Sequence, residues 1–246
     1  MKDNFSNNSA DYARFRPTYP TAVFRHILQY VANRDNAWDC ATGNGQSAKE
    51  LAAYFTSVYA TDISANQLKN AIQKDNINYK LEPAEHTSFP DNLFDLVTVA
   101  QAIHWFNFDE FYKEVKRTSK ETGILAVIGY GNFETGGELN DVIKHFYNKV
   151  VGPYWDTERK YIDESYRTIP FPFTELKPIA LEQEYEWTFE QLTGYLNTWS
   201  AVQHYIKSNN EKPVNAFSNE LKKAWGEEKS KAFSFPILMR IGKIEK

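Results

Sequence analysis

The chain has 246 residues, with 28 basic against 32 acidic side chains and a net charge of −4, so it lacks the clustered cations that bind nucleic acid. Hydrophobic residues make up 42%, enough for one large core, yet no stretch reaches the roughly 18 apolar residues of a membrane span. A single cysteine, Cys40, excludes an internal disulfide and a cysteine metal cluster, no histidines have ligand spacing, and no metal is expected. Met1–Asn8 lacks the apolar core of a signal peptide. The expectation is a cytoplasmic protein with a small-molecule partner, no nucleic-acid or membrane partner, and an oligomeric state that the sequence leaves open.

Val23, Phe24, Ile27, Leu28 and Val31 have helical spacing and predict a helix over residues 20–34, after a turn at Pro17–Pro20. A strand over 36–40 follows, then a helix from near Gly45 carrying Ala48, Leu51, Ala52 and Phe55. The next strand is 57–61, with Ser64 as N-cap of a helix that turns Leu68, Ala71 and Ile72 inward. Strands at 77–81, 94–101 and 123–129 enclose a helix near 107–119, and Cys40 reads as a small core residue.

Such alternation of strand and helix predicts a parallel sheet wound on both faces, with its ligand crevice at the carboxyl ends of the strands. After Gly129 the pattern changes to a helix over 138–151 and a proline-rich, aromatic stretch over 154–178 that reads as a lid. Strands at 180–187 and 233–244, with helices near 189–207 and 214–225, complete the chain.

The most telling segment is Ala37-Trp-Asp-Cys-Ala-Thr-Gly-Asn-Gly45, a strand running into a Gly-x-Gly turn, with Asp62 at the end of the next strand. Glycines there let the backbone approach a nucleoside ligand, and the second acid suits ribose hydroxyls. Gly43-x-Gly45-x-x-Ala48 also fits a dinucleotide fingerprint with an acid about 20 residues on. Asp39 argues against that, since a carboxylate facing a pyrophosphate at 4 Å would cost about 4 kcal/mol near a protein surface. An ammonium, as in S-adenosylmethionine, would suit it.

Asp39-x-x-x-Gly43-x-Gly45 with Asp62 resembles the first motifs of class I S-adenosylmethionine-dependent methyltransferases, with Ala41 where that family has a further glycine. Phe89–Val97 strengthens the match, and His104-Trp105 after the fourth strand, with Asp11–Pro20, resembles the type 11 group that contains trans-aconitate methyltransferases. The resemblance covers residues 11–131 well and the rest through Thr198–Val202. It implies a Rossmann-like seven-stranded, mostly parallel α/β sheet with helices on both faces, a reversed last strand and a helical lid. One methyltransferase domain over 1–246 is expected, with a cap and helix at 1–34, a cofactor core at 35–131, and the lid insertion and final strands at 132–246.

The resemblance further implies S-adenosylmethionine as cofactor, S-adenosylhomocysteine as product, and cofactor contacts at Asp39, Ala41, Thr42, Gly43, Gly45, Asp62, Ile63, Gln67, Ala84, Glu85, Gln101 and Ala102. Tyr12, Tyr19, Trp105 and Trp199 are candidate acceptor contacts whose aromatic faces would favour a sulfonium by roughly 0.5–2 kcal/mol. Arg14 is the candidate partner of a carboxylate. A carboxylate acceptor needs no base; a hydroxyl, amine or acidic carbon does, and His104 is the candidate, with an ordinary pKa near neutrality. The predicted reaction is methyl transfer to a small organic molecule, with a carboxylic acid among the candidates. Two alternatives stand: a short-chain NAD(P)-dependent oxidoreductase, through Tyr112-x-x-x-Lys116, and a non-catalytic module that senses the cofactor.

Overall fold

A computed structural model describes residues 14–246. Among these residues eight strands form the sheet, in the order β3-β2-β1-β4-β5-β8-β6, with β7 also paired to β8. The strands are β1 (Asn36–Cys40), β2 (Ser57–Asp62), β3 (Ile77–Leu81), β4 (Phe94–Ala100), β5 (Ser119–Tyr130), β6 (Thr174–Leu176), β7 (Glu182–Trp187) and β8 (Lys231–Lys243). β1 to β5 are parallel and β8 runs antiparallel to β5, as the sequence leads one to expect, with β6 a short additional edge strand. The order reverses between β1 and β4, which opens a crevice at their carboxyl ends.

Alternation along the central strands splits the apolar side chains between two cores. On β5, Ile124, Ala126 and Ile128 enter one core, while Leu125 and Val127 enter the other. Helix α1 (Thr21–Ile27) covers the first through Val23, Phe24 and Ile27. It is shorter than predicted. Its end tightens into bonds from Gln29 N to His26 O and Tyr30 N to Ile27 O, and the chain turns to feed β1. Helices α2 (Gln46–Leu51) and α3 (Ala65–Lys69) flank β2, and the predicted cap is present, with Ser64 Oγ accepting from Gln67 N at 3.3 Å. Helix α4 (Phe108–Thr118) packs Phe111 and Val115 into the second core, beside the fully buried Cys40.

Beyond β5, α5 (Gly137–His145) runs into a π-helical turn and a series of short helical turns, ending in α6 (Lys160–Asp163). The helix predicted over 189–207 is two, α7 (Phe189–Asn197) and α8 (Ser200–Asn209), because Trp199 is extended at φ −68°, ψ 136°. A second break, at Phe217, separates α9 (Pro213–Ala216) from α10 (Ser218–Trp225). Among the described residues, no helix is long and apolar enough to cross a membrane.

Candidate active site

The β1–α2 turn forms the floor of a cavity of about 910 Å³ at the carboxyl edge of the sheet. Ala41, Gly43 and Gly45 all have positive φ, at 55°, 57° and 83°. Ala41 thus holds the left-handed conformation that glycine adopts without steric cost. A Cβ added at Gly43 would meet no protein atom within 4 Å, and Gly43 lines the cavity, so that added carbon would occupy ligand space. Gly45 is needed for a different reason, since a Cβ there would strike the Tyr79 hydroxyl.

Asp62 faces the turn from the end of β2, with Oδ2 accepting from Gly43 N and Oδ1 from Ser64 N, each at 2.8 Å. Two backbone donors fix the carboxylate at the cavity wall, and each oxygen can accept more than one hydrogen bond. Thr42, Ile63 and Gln67 line the same cavity, as do Gln101 and Ala102 at the end of β4 and the aromatics Tyr19 and Trp105. Gln101 is also left-handed, at φ 55°. Its side chain ties β4 to β5, accepting from Tyr130 N at 2.8 Å and donating to Tyr130 O at 3.3 Å.

Several expected contacts lie elsewhere. Asp39 is fully buried and does not line the cavity; its oxygens accept from the hydroxyls of Thr42 at 2.5 Å and Thr98 at 2.8 Å. Burial pushes its pKa up to about 6 against those hydroxyl bonds. It braces Thr42 in the turn from the interior, whereas the sequence led one to expect the carboxylate at the cavity wall. Ala84 is packed in the second core, and Glu85 accepts from Asn107 N at 3.1 Å; neither lines the cavity. Arg14 is exposed and pairs with Glu190 at 3.3 Å, and it lines neither cavity. Trp199 is buried among Phe146, Tyr147, Trp155 and Tyr195 and serves the core. Tyr12 lies outside the described residues.

Arg16 takes the place expected of Arg14. Its guanidinium donates to Thr198 O at 2.8 Å and Tyr130 Oη at 3.2 Å, and it lines the large cavity. A second cavity of about 420 Å³ adjoins the first through Arg16, Gln101 and Trp105, and is completed by His104, Trp155, Asp156, Arg159, Ile162 and Ser200. The His104 ring is 5% exposed, and its Nδ1 is buried without a hydrogen-bond partner. Burial first, then the charge of Arg159, pushes its pKa down to about 3, with Glu158 opposing. His104 is therefore a neutral imidazole near pH 7 and a weak proton acceptor, contrary to the near-neutral base expected from sequence.

A methyltransferase-domain family model matches residues 38–127, the segment that builds the turn, β2 and β4. A Dictyostelium discoideum protein named as a methyltransferase is 36% identical over 253 residues, covering 99% of this chain and 95% of its own. The chain belongs to the class I methyltransferases. A solved methyltransferase structure from Anaeromyxobacter dehalogenans superposes with a TM-score of 0.86 at 35% identity, covering 94% of this chain and 99% of that one. Another relative, from Saccharomyces cerevisiae and named as S-adenosylmethionine-dependent, is 26% identical, covering 90% of this chain and 89% of its own.

This methyltransferase uses S-adenosylmethionine, and the cradle fits it: an open face at Gly43 and a carboxylate at Asp62 fixed at the cavity wall. The hydride-transfer alternative loses its basis. Tyr112 donates to Pro170 O at 2.5 Å inside the second core, while Lys116 lies over Phe173, and neither lines either of the two cavities.

Proposed function

We propose that the protein methylates a small organic acid at a carboxylate oxygen, with the cofactor in the large cavity and the acceptor in the second. The observation that carries this reading is the pairing of two arginines, Arg16 and Arg159, with a neutral His104 around one small cavity. A carboxylate is already a nucleophile near pH 7 and asks for positioning and charge, which these residues offer; an amine or hydroxyl would ask for a base, which His104 is not.

Asp62, Ile63, Gln67, Gln101 and Ala102, with the turn at Ala41–Gly43, are the residues that would hold the cofactor. When bound, S-adenosylmethionine supplies an electrophilic methyl on a sulfonium. The chain aligns the reactants, an effect worth up to about 7–11 kcal/mol. Arg16, Gln101 and Trp105, common to both cavities, stand at the passage between them, and residues 152–163 close the acceptor side as a lid. A site for an acceptor beside the cofactor favours an enzyme over a sensing module.

Transfer of labelled methyl groups from S-adenosylmethionine to a panel of small carboxylic acids, amines and phenols tests the reading. The expected product is a base-labile methyl ester; a base-stable N-methyl or C-methyl product overturns it.

A further inference from the structure

We propose that Arg159 determines acceptor specificity by binding an anionic group of the acceptor remote from the atom that is methylated. The proposal rests on the reading of the second cavity as the acceptor site. Arg16, Gln101 and Trp105 line both cavities, so the reacting end of an acceptor belongs among them. Arg159 lines the second cavity alone, and its charge therefore addresses the other end of the molecule. Binding energy from such a remote group serves to orient the reacting centre.

How Arg159 is mounted supports this role. Its side chain is 14% exposed, at the end of a turn that leads into α6. Nε donates to Tyr147 Oη at 2.8 Å and Asp163 Oδ1 at 3.3 Å, and Nη2 donates to Asn132 Oδ1. The guanidinium carbon lies 4.6 Å from the Trp155 ring centroid and 5.4 Å from that of Tyr147. Those contacts fix the plane of the fork, and among the described residues Nη1 has no hydrogen-bond partner. The same Oδ1 of Asp163 also accepts from Tyr147 Oη at 2.7 Å and Asn132 Nδ2 at 3.2 Å, so the carboxylate and the guanidinium are held in one network.

A second feature calls for a ligand in the same cavity. His104 lines it with a buried Nδ1 that has no hydrogen-bond partner, and an unsatisfied buried polar atom costs roughly 1–3 kcal/mol unless something bonds to it. The carboxylate that also lines the cavity, Asp156, has its Oδ2 3.8 Å from Nδ1 of His204 on α8. A planar anion bound to a rigid guanidinium fork gains both charge and direction, which an ammonium would supply less well.

Calorimetric titration of the protein saturated with S-adenosylhomocysteine, using succinate and its neutral analogue succinamide as probes, tests the assignment in wild type, Arg159→Gln and Arg159→Lys. Wild type is expected to bind succinate about tenfold or more tighter than succinamide. Arg159→Gln should abolish that preference and leave the affinities for succinamide and S-adenosylhomocysteine unchanged, while Arg159→Lys recovers part of it. A purely structural role for Arg159 would not move the ratio between the two probes. Unchanged succinate preference in Arg159→Gln overturns the assignment and leaves the acid reading standing. Equal binding of the two probes by wild type, or binding of neither, overturns both.

Discussion

Asp62 and Gly43 meet through one hydrogen bond, and that contact makes the carboxylate both a wall of the cavity and a brace for the turn. Replacing Asp62 by Ala removes charge-assisted hydrogen bonds of about 1.5–3 kcal/mol each, so affinity for S-adenosylhomocysteine should fall roughly tenfold or more in calorimetry. Unchanged affinity would remove Asp62 from the site. Two buried groups give the apoprotein opposing pH dependences. His104 has its pKa lowered to about 3, so between that value and the ordinary 6.5 the unfolded chain binds the extra proton and stability rises with pH. Asp39 has its pKa raised from 3.8 to about 6, so over that window the folded chain holds the extra proton and stability falls as pH rises. Their slopes, each at most about 1.4 kcal/mol per pH unit, offset one another between pH 4 and 6. Chemical denaturation across that range should show stability rising with pH in Asp39→Asn and falling with pH in His104→Gln. Asp62, Tyr19 and Trp105 were legible in the sequence as cavity residues; Arg16 was not, since nothing local separates it from Arg14.

The β1–α2 turn carries its own signature of strain. Ala41 sits at φ 55°, where a Cβ costs about 1–2 kcal/mol, whereas glycine loses about 0.5–1 kcal/mol through its freer unfolded chain. Ala41→Gly should therefore raise the denaturation midpoint slightly, by up to about 1 kcal/mol in stability, and Ala41→Val should lower it. Strain of this kind persists where neighbours over-determine the backbone; here Asp39 holds Thr42 and Asp62 holds Gly43. The order and type of the elements up to β5 were readable because apolar spacing is a local property; the helix ends were not, since α1, α2 and α3 stop at Ile27, Leu51 and Lys69, short of Val31, Phe55 and Ile72. The break between α7 and α8 was not readable, because Trp199 leaves the helix to pack in an aromatic cluster that spans distant residues. β6 escaped for a related reason: three residues at a sheet edge have too little pattern to stand out, and pairing with β8 makes them a strand.

For the whole molecule, a ligand that binds only the folded chain adds stability by mass action, about 2.7 kcal/mol at one hundred times its dissociation constant. S-adenosylhomocysteine should shift the unfolding transition accordingly, and NADH at the same concentration should not; a shift with NADH alone would reverse the cofactor assignment. The alternation of apolar strand and helix, the glycine turn after β1 and the acid after β2 are local patterns, and they determined the fold class and the nucleoside cofactor without any coordinates. Tertiary structure decided the rest. Arg16, Tyr130 and Thr198 meet by hydrogen bonds between segments more than a hundred residues apart in part, and Arg159 reaches the cavity from a segment beyond the parallel sheet. Periodicity tells which face of an element is apolar. It carries no information about which polar side chain from a distant turn ends on a cavity wall, because that depends on how the chain returns through α7, α8 and β8 to the carboxyl edge of the sheet.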